Sequence, residues 1–184
     1  VRALRPLAIL AVAALTLSAC GGGDDESSTG AGQGQSGQTY TIGFVGALTG
    51  DNANLGLNIR DAIKVAIDQE NRGDGPKIEL KEFDTAGDPA QATTIKDRFL
   101  TDRSVLGIAG PAFSGETKAL LPSIQDAGLV MVSASATNKD LPTVVPNSSA
   151  FHRVIADDGL QASGIVAYLA KDNPRSVMVV HDNT

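Results

Sequence analysis

The 184-residue sequence has no tryptophan, one cysteine and two histidines, and aromatic residues make up only 4% of it. A single cysteine cannot form a disulfide within the chain or the paired-cysteine motif of a zinc or redox site. Two histidines leave little material for a histidine-based metal site, so no cofactor is expected. Acidic residues outnumber basic ones by 21 to 15, which argues against a nucleic-acid partner.

The first nineteen residues have the pattern of an export signal. Two arginines precede an apolar run from Leu7 to Leu17, which is too short to span a bilayer because a spanning helix needs about twenty residues. Cys20 follows Leu-Ser-Ala and resembles the lipidated cysteine of a bacterial lipobox; the alternative is a buried core cysteine. We therefore predict a lipoprotein signal peptide over residues 1–19. Residues 20–38, rich in glycine, serine and glutamine, are predicted to be a flexible linker that holds the folded part at the outer face of the cytoplasmic membrane.

From residue 39 onward, strand-like and helix-like stretches alternate. Leu55 and Ile59 begin an apolar stripe at helical spacing. The sequence Asp88-Pro89-Ala90-Gln91 is typical of a helix start, with an acceptor cap followed by proline. The last predicted strand is Arg175–His181. Alternation with short apolar strands predicts an α/β fold, with a parallel sheet covered by helices on both faces.

Four loops are expected to form a ligand site, because ligands of open parallel sheets bind beyond the carboxyl ends of the strands. These loops are Thr49–Asn54, Asp84–Asp88, Gly110–Gly115 and Ser133–Lys139. Ser114 stands where it could cap a helix whose free N–H groups favour a carboxylate. Ser135 and Thr137 add short donors and acceptors. A pocket of hydroxyls and amides without lysine or arginine suits a small zwitterion or a polar neutral molecule, and no GxxxxGK phosphate motif occurs.

Each of these residues also has a purely structural interpretation. Ser114 could serve only as a helix cap, and Ser135 and Thr137 could satisfy the backbone of their own turn. Asp84 and Asp88 fit the roles of a strand-end acid and a helix cap. An enzyme is not expected, because a Gly-x-Ser-x-Gly nucleophile elbow around Ser114 would need glycines where alanine and glutamate stand.

Several short segments stand in a distinctive order along the chain. They are Ile42–Gly50, Ile67–Gly73, Asp84 with Asp88–Ala92, Gly107–Pro111 with Ser114, Val132–Thr137 and Val179–Asp182. In that order they resemble the leucine/isoleucine/valine-binding protein family, whose fold is that of type I periplasmic binding proteins. The resemblance implies two lobes that close on a ligand and deliver it to the permease and ATPase of an ABC importer. It further implies an incomplete first lobe over residues 39–155 and the truncated start of a second lobe over residues 156–184.

The resemblance also implies roles for individual residues. Ser114 would hold the α-carboxylate of an amino acid, while the carbonyl of Ser135 and the hydroxyl of Thr137 would take its α-ammonium. The aromatic residue that often covers the ligand falls near Leu55, which is not aromatic. The exact ligand is therefore open: branched-chain amino acids are the family default, and amides, urea or aromatic acids are the alternatives. A ligand-sensing receptor domain with the same fold is the second function considered.

Overall fold

The structure is a computed structural model that describes residues 39–180; the predicted signal peptide, Cys20 and the predicted linker lie outside the described residues. The elements, in chain order, are β1 (Thr39–Gly46), α1 (Ala53–Glu70), β2 (Lys77–Asp84), α2 (Pro89–Ile95), α3 (Asp97–Leu100), β3 (Val105–Ala109), α4 (Ser114–Asp126), β4 (Met131–Ser133), a 3-10 turn (Leu141–Thr143), β5 (Phe151–Arg153) and α5 (Asp158–Asp172).

The five strands form one sheet in the order β2-β1-β3-β4-β5, and every neighbouring pair is parallel. Helices α1 to α4 connect successive strands, as parallel strands require. The predicted α/β class with a parallel sheet is thus confirmed. All strands end at the same edge, so the loops that follow them meet there. Within residues 39–180, no helix has both the length and the apolar character needed to cross a bilayer.

One face of the sheet carries the main core. Side chains from every strand meet those of α2, α3 and α4 on this face, and the largest fully buried ones include Phe99, Leu120, Ile124 and Met131. Asp88 starts α2 as predicted: its carboxylate accepts hydrogen bonds from Ala90 N at 2.7 Å and from Gln91 N at 2.8 Å. Burial of apolar area on this face supplies the main driving force for folding.

The opposite face is only partly covered. Helix α1 lies against β2 there, where Arg60 and Lys64 form ion pairs with Glu82 at 3.2 and 2.5 Å. Beside β3 and β4 this face is open, and Leu106 and Val132 remain 56% and 41% exposed. An apolar cleft of about 480 Å³ lies between α1 and these strands.

The chain after β5 departs from the sequence-based expectation. Helix α5 forms, but none of its residues is buried, including the apolar Leu160, Ile165 and Val166. The strand predicted over Arg175–His181 is wrong for the part that the structure describes, residues 175–180, which are exposed and belong to no strand. A strand requires hydrogen bonds to a neighbour, and none of the five described strands lies beside this segment.

Candidate functional site

A cavity of about 830 Å³ lies beyond the carboxyl ends of the strands. The four predicted loops and the start of α5 line it. Leu55, Ser114, Ser135 and Thr137, the four residues singled out from the sequence, all contribute to its wall. Its charged lining residues are all acidic, and Asp158 at the start of α5 is one of them. The structure thus brings the four residues together, while their contacts with a ligand stay a prediction.

The carboxylate of Asp84 joins the loops after β1 and β2. It accepts hydrogen bonds from the N–H groups of Leu48, Thr49 and Ala86 at 2.9, 3.2 and 2.9 Å, and from the hydroxyl of Thr49 at 2.6 Å. Burial opposes ionisation of this group, but the four donors hold the pKa of Asp84 below its ordinary value. Asp84 therefore shapes the cavity rim, in line with its structural interpretation as a strand-end acid.

Three serine hydroxyls join the loop after β3 to the loop after β4. Ser133 donates its hydroxyl to the carbonyl of Pro111 at 2.5 Å, and Ser135 donates to the carbonyl of Ala112 at 2.6 Å. The hydroxyl oxygen of Ser114 accepts a hydrogen bond from Asn138 N at 3.1 Å. The hydroxyl proton of Ser135 is thus used within the protein, while a ligand role for the Ser135 carbonyl stays a prediction from the family resemblance. Ser114 keeps its hydroxyl proton to donate.

Ser114 occupies a different helix position from the one expected. It is the first residue of α4, and the cap is Phe113, whose backbone is extended. The interpretation of Ser114 as a helix cap is therefore wrong: its hydroxyl reaches the neighbouring loop instead of the N–H groups of its own helix. The first N–H groups of α4 have no partner inside the helix, as in every helix. Ser114 and Gly115 line the cavity, so this positively polarised helix end faces it.

An aromatic side chain that sequence reasoning missed also lines the cavity. Phe113 stands in the wall together with Leu55 and Pro89. Its ring packs closely against Gly87. A Cβ added to Gly87 would lie only 3.1 Å from the ring carbon Cε2 of Phe113. The cavity thus has an apolar side as well as a polar one. The only sequence signal for this role was the position of Phe113 next to Ser114.

A buried glutamate supports the start of α4 from behind. Glu116 is fully buried, and its carboxyl group is hydrogen bonded to the hydroxyl of Thr85 and to Phe113 N, the latter at 3.3 Å. Burial raises the pKa of Glu116, and the nearby negative charges of Asp88 and Asp84 add to this effect, while the two hydrogen bonds oppose it. Glu116 therefore connects the loop after β2 to the helix that carries Ser114.

Glycines allow two close backbone approaches near the cavity. A Cβ at Gly56 in α1 would lie 1.8 Å from the carbonyl oxygen of Ala47. A Cβ at Gly110, whose φ is +109°, would lie 2.1 Å from the carbonyl oxygen of Val45. Any other residue would push α1 or the loop after β3 away from β1. Within residues 39–180, no group of three His, Cys, Asp or Glu side chains is arranged to bind a metal ion.

Comparison with known proteins identifies the class to which this fold and cavity belong. A family model described as "Periplasmic binding protein" matches residues 39–184, and the chain belongs to this family of solute-binding proteins. The Leu/Ile/Val-binding protein homolog 3 of Brucella melitensis is 29% identical over 146 residues, which cover 77% of this chain and 39% of that protein. The chain thus spans about two fifths of the length of this relative.

Solved structures agree with this assignment. The branched-chain amino acid transporter substrate binding protein LivJ from Streptococcus pneumoniae, in complex with isoleucine, superposes with a TM-score of 0.60 at 27% identity, covering 66% of this chain and 35% of that one. A solute binding protein of an ABC transporter from Rhodopseudomonas palustris, in complex with 3,4-dihydroxybenzoic acid, has a TM-score of 0.64 at 24% identity and covers 73% of this chain and 36% of that one. The second similarity shows the shared fold alone.

Proposed function

We propose that this chain captures a small amino acid with an apolar side chain outside the cytoplasm and presents it to an ABC importer. This proposal depends most on the two sets of polar groups around the cavity. One set is the N-terminus of α4 with the hydroxyl of Ser114, and the other is the carbonyl of Ser135 with the hydroxyl of Thr137. The first set suits a carboxylate and the second an ammonium group. The branched-chain amino acid binders among its relatives support this choice.

The apolar wall of the cavity supports a ligand with a hydrocarbon side chain. Leu55, Pro89 and Phe113 would contact that side chain, so that Phe113 supplies the aromatic surface that position 55 lacks. The acidic residues of the lining favour a ligand that carries an ammonium group, since a bare carboxylate would be repelled by them. The acidic lining thus favours an amino acid over an aromatic acid such as the 3,4-dihydroxybenzoic acid bound by the Rhodopseudomonas palustris protein.

The mechanism that fits this site has two steps. The ligand first meets the lobe to which residues 39–155 belong, and a second lobe, to whose start we assign residues 156–184, then closes over it. Closure removes water and strengthens the polar contacts inside. We also propose that Cys20 is lipidated after removal of residues 1–19, so that residues 20–38 tether the receptor to the membrane beside its permease.

The test is a titration of the full secreted chain with leucine, isoleucine and valine, with 4-hydroxybenzoate and acetamide as competing ligand classes. Stabilisation by each ligand is measured by thermal unfolding up to millimolar concentrations, since a ligand that binds only the folded state raises the melting temperature. We expect the branched-chain amino acids to stabilise the chain. Ser114→Ala and Thr137→Ala should weaken binding by roughly tenfold or more, because hydrogen bonds to charged groups are worth about 1.5–3 kcal/mol.

Two matched variants control for loss of a hydroxyl as such. Ser163→Ala and Thr93→Ala remove hydroxyls that bond only to the backbone of their own helices, and neither should change ligand affinity. Stabilisation by 4-hydroxybenzoate alone would replace the proposed ligand class. Failure of every ligand to bind would favour the other candidate, a sensor domain for a different solute. The shared fold supports that candidate because type I folds are not tied to one function.

A further inference from the structure

Arg153, the last residue of β5, makes an unusual set of contacts with the loop after β4. Its side chain is only 14% exposed. One guanidinium nitrogen, Nη1, donates to the carbonyl of Asn138 at 2.8 Å and to that of Ala136 at 3.3 Å. The other, Nη2, lies 3.5 Å from a carboxylate oxygen of Asp157. The planar fork of arginine suits such a multiple arrangement, which the single ammonium of lysine cannot reproduce.

These contacts surround the candidate ligand residue Thr137. Arg153 binds the carbonyls on either side of it, and the carbonyl of Thr137 itself accepts a hydrogen bond from Asp158 N at 2.9 Å. Three successive carbonyls of the loop are therefore held by groups at the end of β5 and at the start of α5. Thr137 lines the cavity, and no hydrogen bond joins its hydroxyl to another of the described residues.

The same contacts reach the segment that enters α5. Asp157 is the cap of this helix and accepts a hydrogen bond from Leu160 N at 2.9 Å. Val154 N donates to the carbonyl of Ser133 at 3.1 Å. None of the residues of α5 is buried, and these hydrogen bonds join its start to β4 and to the loop after it. A displacement of α5 would thus act first on Asp157, Asp158 and the loop that contains Thr137.

We propose that Arg153 is a positioning residue that fixes Thr137 for the ligand and couples this loop to the start of α5. The inference rests on the proposed function, because it concerns the same cavity. Ligand contact at Thr137 and movement of α5 would then influence each other through Arg153 and Asp157. The coupling must be reciprocal, since the same free energy links the two events.

The test is a double-mutant cycle on ligand affinity, using L-leucine and the full chain with Arg153→Gln, Thr137→Ala and the combined variant. Dissociation constants are taken from NMR titrations, which extend to the millimolar range. We expect Arg153→Gln to weaken binding at least fivefold and to remove most of the effect of Thr137→Ala, because Thr137 is no longer held in place. Additive losses would overturn the proposal, since a residue with only a general structural role does not couple to one hydroxyl.

Three further variants test whether the effect depends on the charge and the geometry of the Arg153 side chain. Asp157→Asn keeps an oxygen acceptor for Leu160 N but removes the charge that Arg153 meets, and we expect it to weaken leucine binding less than Arg153→Gln. Arg153→Lys keeps the charge and should restore affinity only in part. Arg103→Gln, at an exposed position, is the control and should leave affinity unchanged. If both Arg153 variants fail to fold, Arg153 is a structural residue and the proposal is wrong.

The outcomes also separate this proposal from the proposed function. Suppose that wild-type protein binds leucine and Thr137→Ala weakens this binding, but the losses in the double-mutant cycle are additive. The proposed function is then supported, and the proposed role of Arg153 is wrong. If wild-type protein binds no amino acid, the proposed function fails and the role of Arg153 fails with it.

Discussion

Leu120 in α4 and Leu160 in α5 are both leucines of amphipathic helices, but their environments differ. Leu120 is fully buried, whereas Leu160 is 65% exposed. Helix α4 packs against α2 and the face of the sheet that carries the core. Helix α5 has no buried residue, and a hydrogen bond from Asp158 N to the carbonyl of Thr137 joins its start to the loop after β4. Apolar periodicity thus predicts that a helix forms, but burial depends on whether a partner surface is present.

The largest effect on the free energy of unfolding is expected from a substitution of the buried residue, Leu120. Leu120→Ala should lower the free energy of unfolding by about 2–5 kcal/mol, because it removes apolar contacts and leaves a cavity in the core. Urea unfolding measures this change through the midpoint of the transition. An effect below about 1 kcal/mol would mean that the core is loosely packed, and the contrast with α5 would disappear.

A smaller effect on the free energy of unfolding, dependent on pH, is expected for Glu116. This residue tests how burial of an ionisable group in α4 affects stability. Its pKa is raised in the folded state, so its contribution to stability is present below the unfolded pKa of about 4.3 and is lost as the pH rises through the folded value. Glu116→Gln carries no ionisable group there. Relative to wild type, the variant should therefore become more stable as the pH is raised from about 4 to 7.

Urea unfolding at a series of pH values measures this difference, with Glu79→Gln as the control for an exposed glutamate of β2. If Glu116→Gln instead loses stability relative to wild type as the pH rises, the hydrogen bonds from Thr85 and Phe113 favour the charged form more than burial opposes it.

The smallest effect on the free energy of unfolding is expected from a substitution of the exposed residue, Leu160. Leu160→Ala should change the free energy of unfolding by no more than about 0.5 kcal/mol, as is usual for surface positions. Alanine also favours the helix intrinsically. The same urea experiment provides the measurement, with Leu120→Ala as its matched partner. A loss similar to that of Leu120→Ala would show that α5 packs against an apolar surface in solution.

The sequence predicted those parts of the fold that depend on local pattern. Alternating strands and helices gave the parallel sheet, and the start of α2 at Asp88 followed from the chemistry of capping. The convergence of Ser114, Ser135 and Thr137 on one cavity followed from the rule that strand ends share an edge, while the family resemblance pointed to Leu55.

The remaining features depend on contacts between distant segments. In its described part, residues 175–180, the strand expected over Arg175–His181 lacks a neighbour, which local composition does not reveal. Ser114 bonds to Asn138 in another loop and leaves the cap to Phe113. Arg153 was not singled out from the sequence, since the carbonyls that it binds lie 15 and 17 positions earlier in the chain. A sequence pattern identifies donors and acceptors, but the fold decides which of them meet.

The hydrogen bonds of Ser133 and Ser135 have a consequence for how such a receptor can evolve. Their hydroxyls bind carbonyls of the opposite loop, so the frame of the cavity is fixed by groups that do not select the solute. In the proposed site, selection would fall to the side chains at positions 55 and 113, which take no part in these two hydrogen bonds. Exchanging those side chains would then alter the shape of the cavity while the bonds between the loops stay in place, and a lineage could thereby exchange one solute for another.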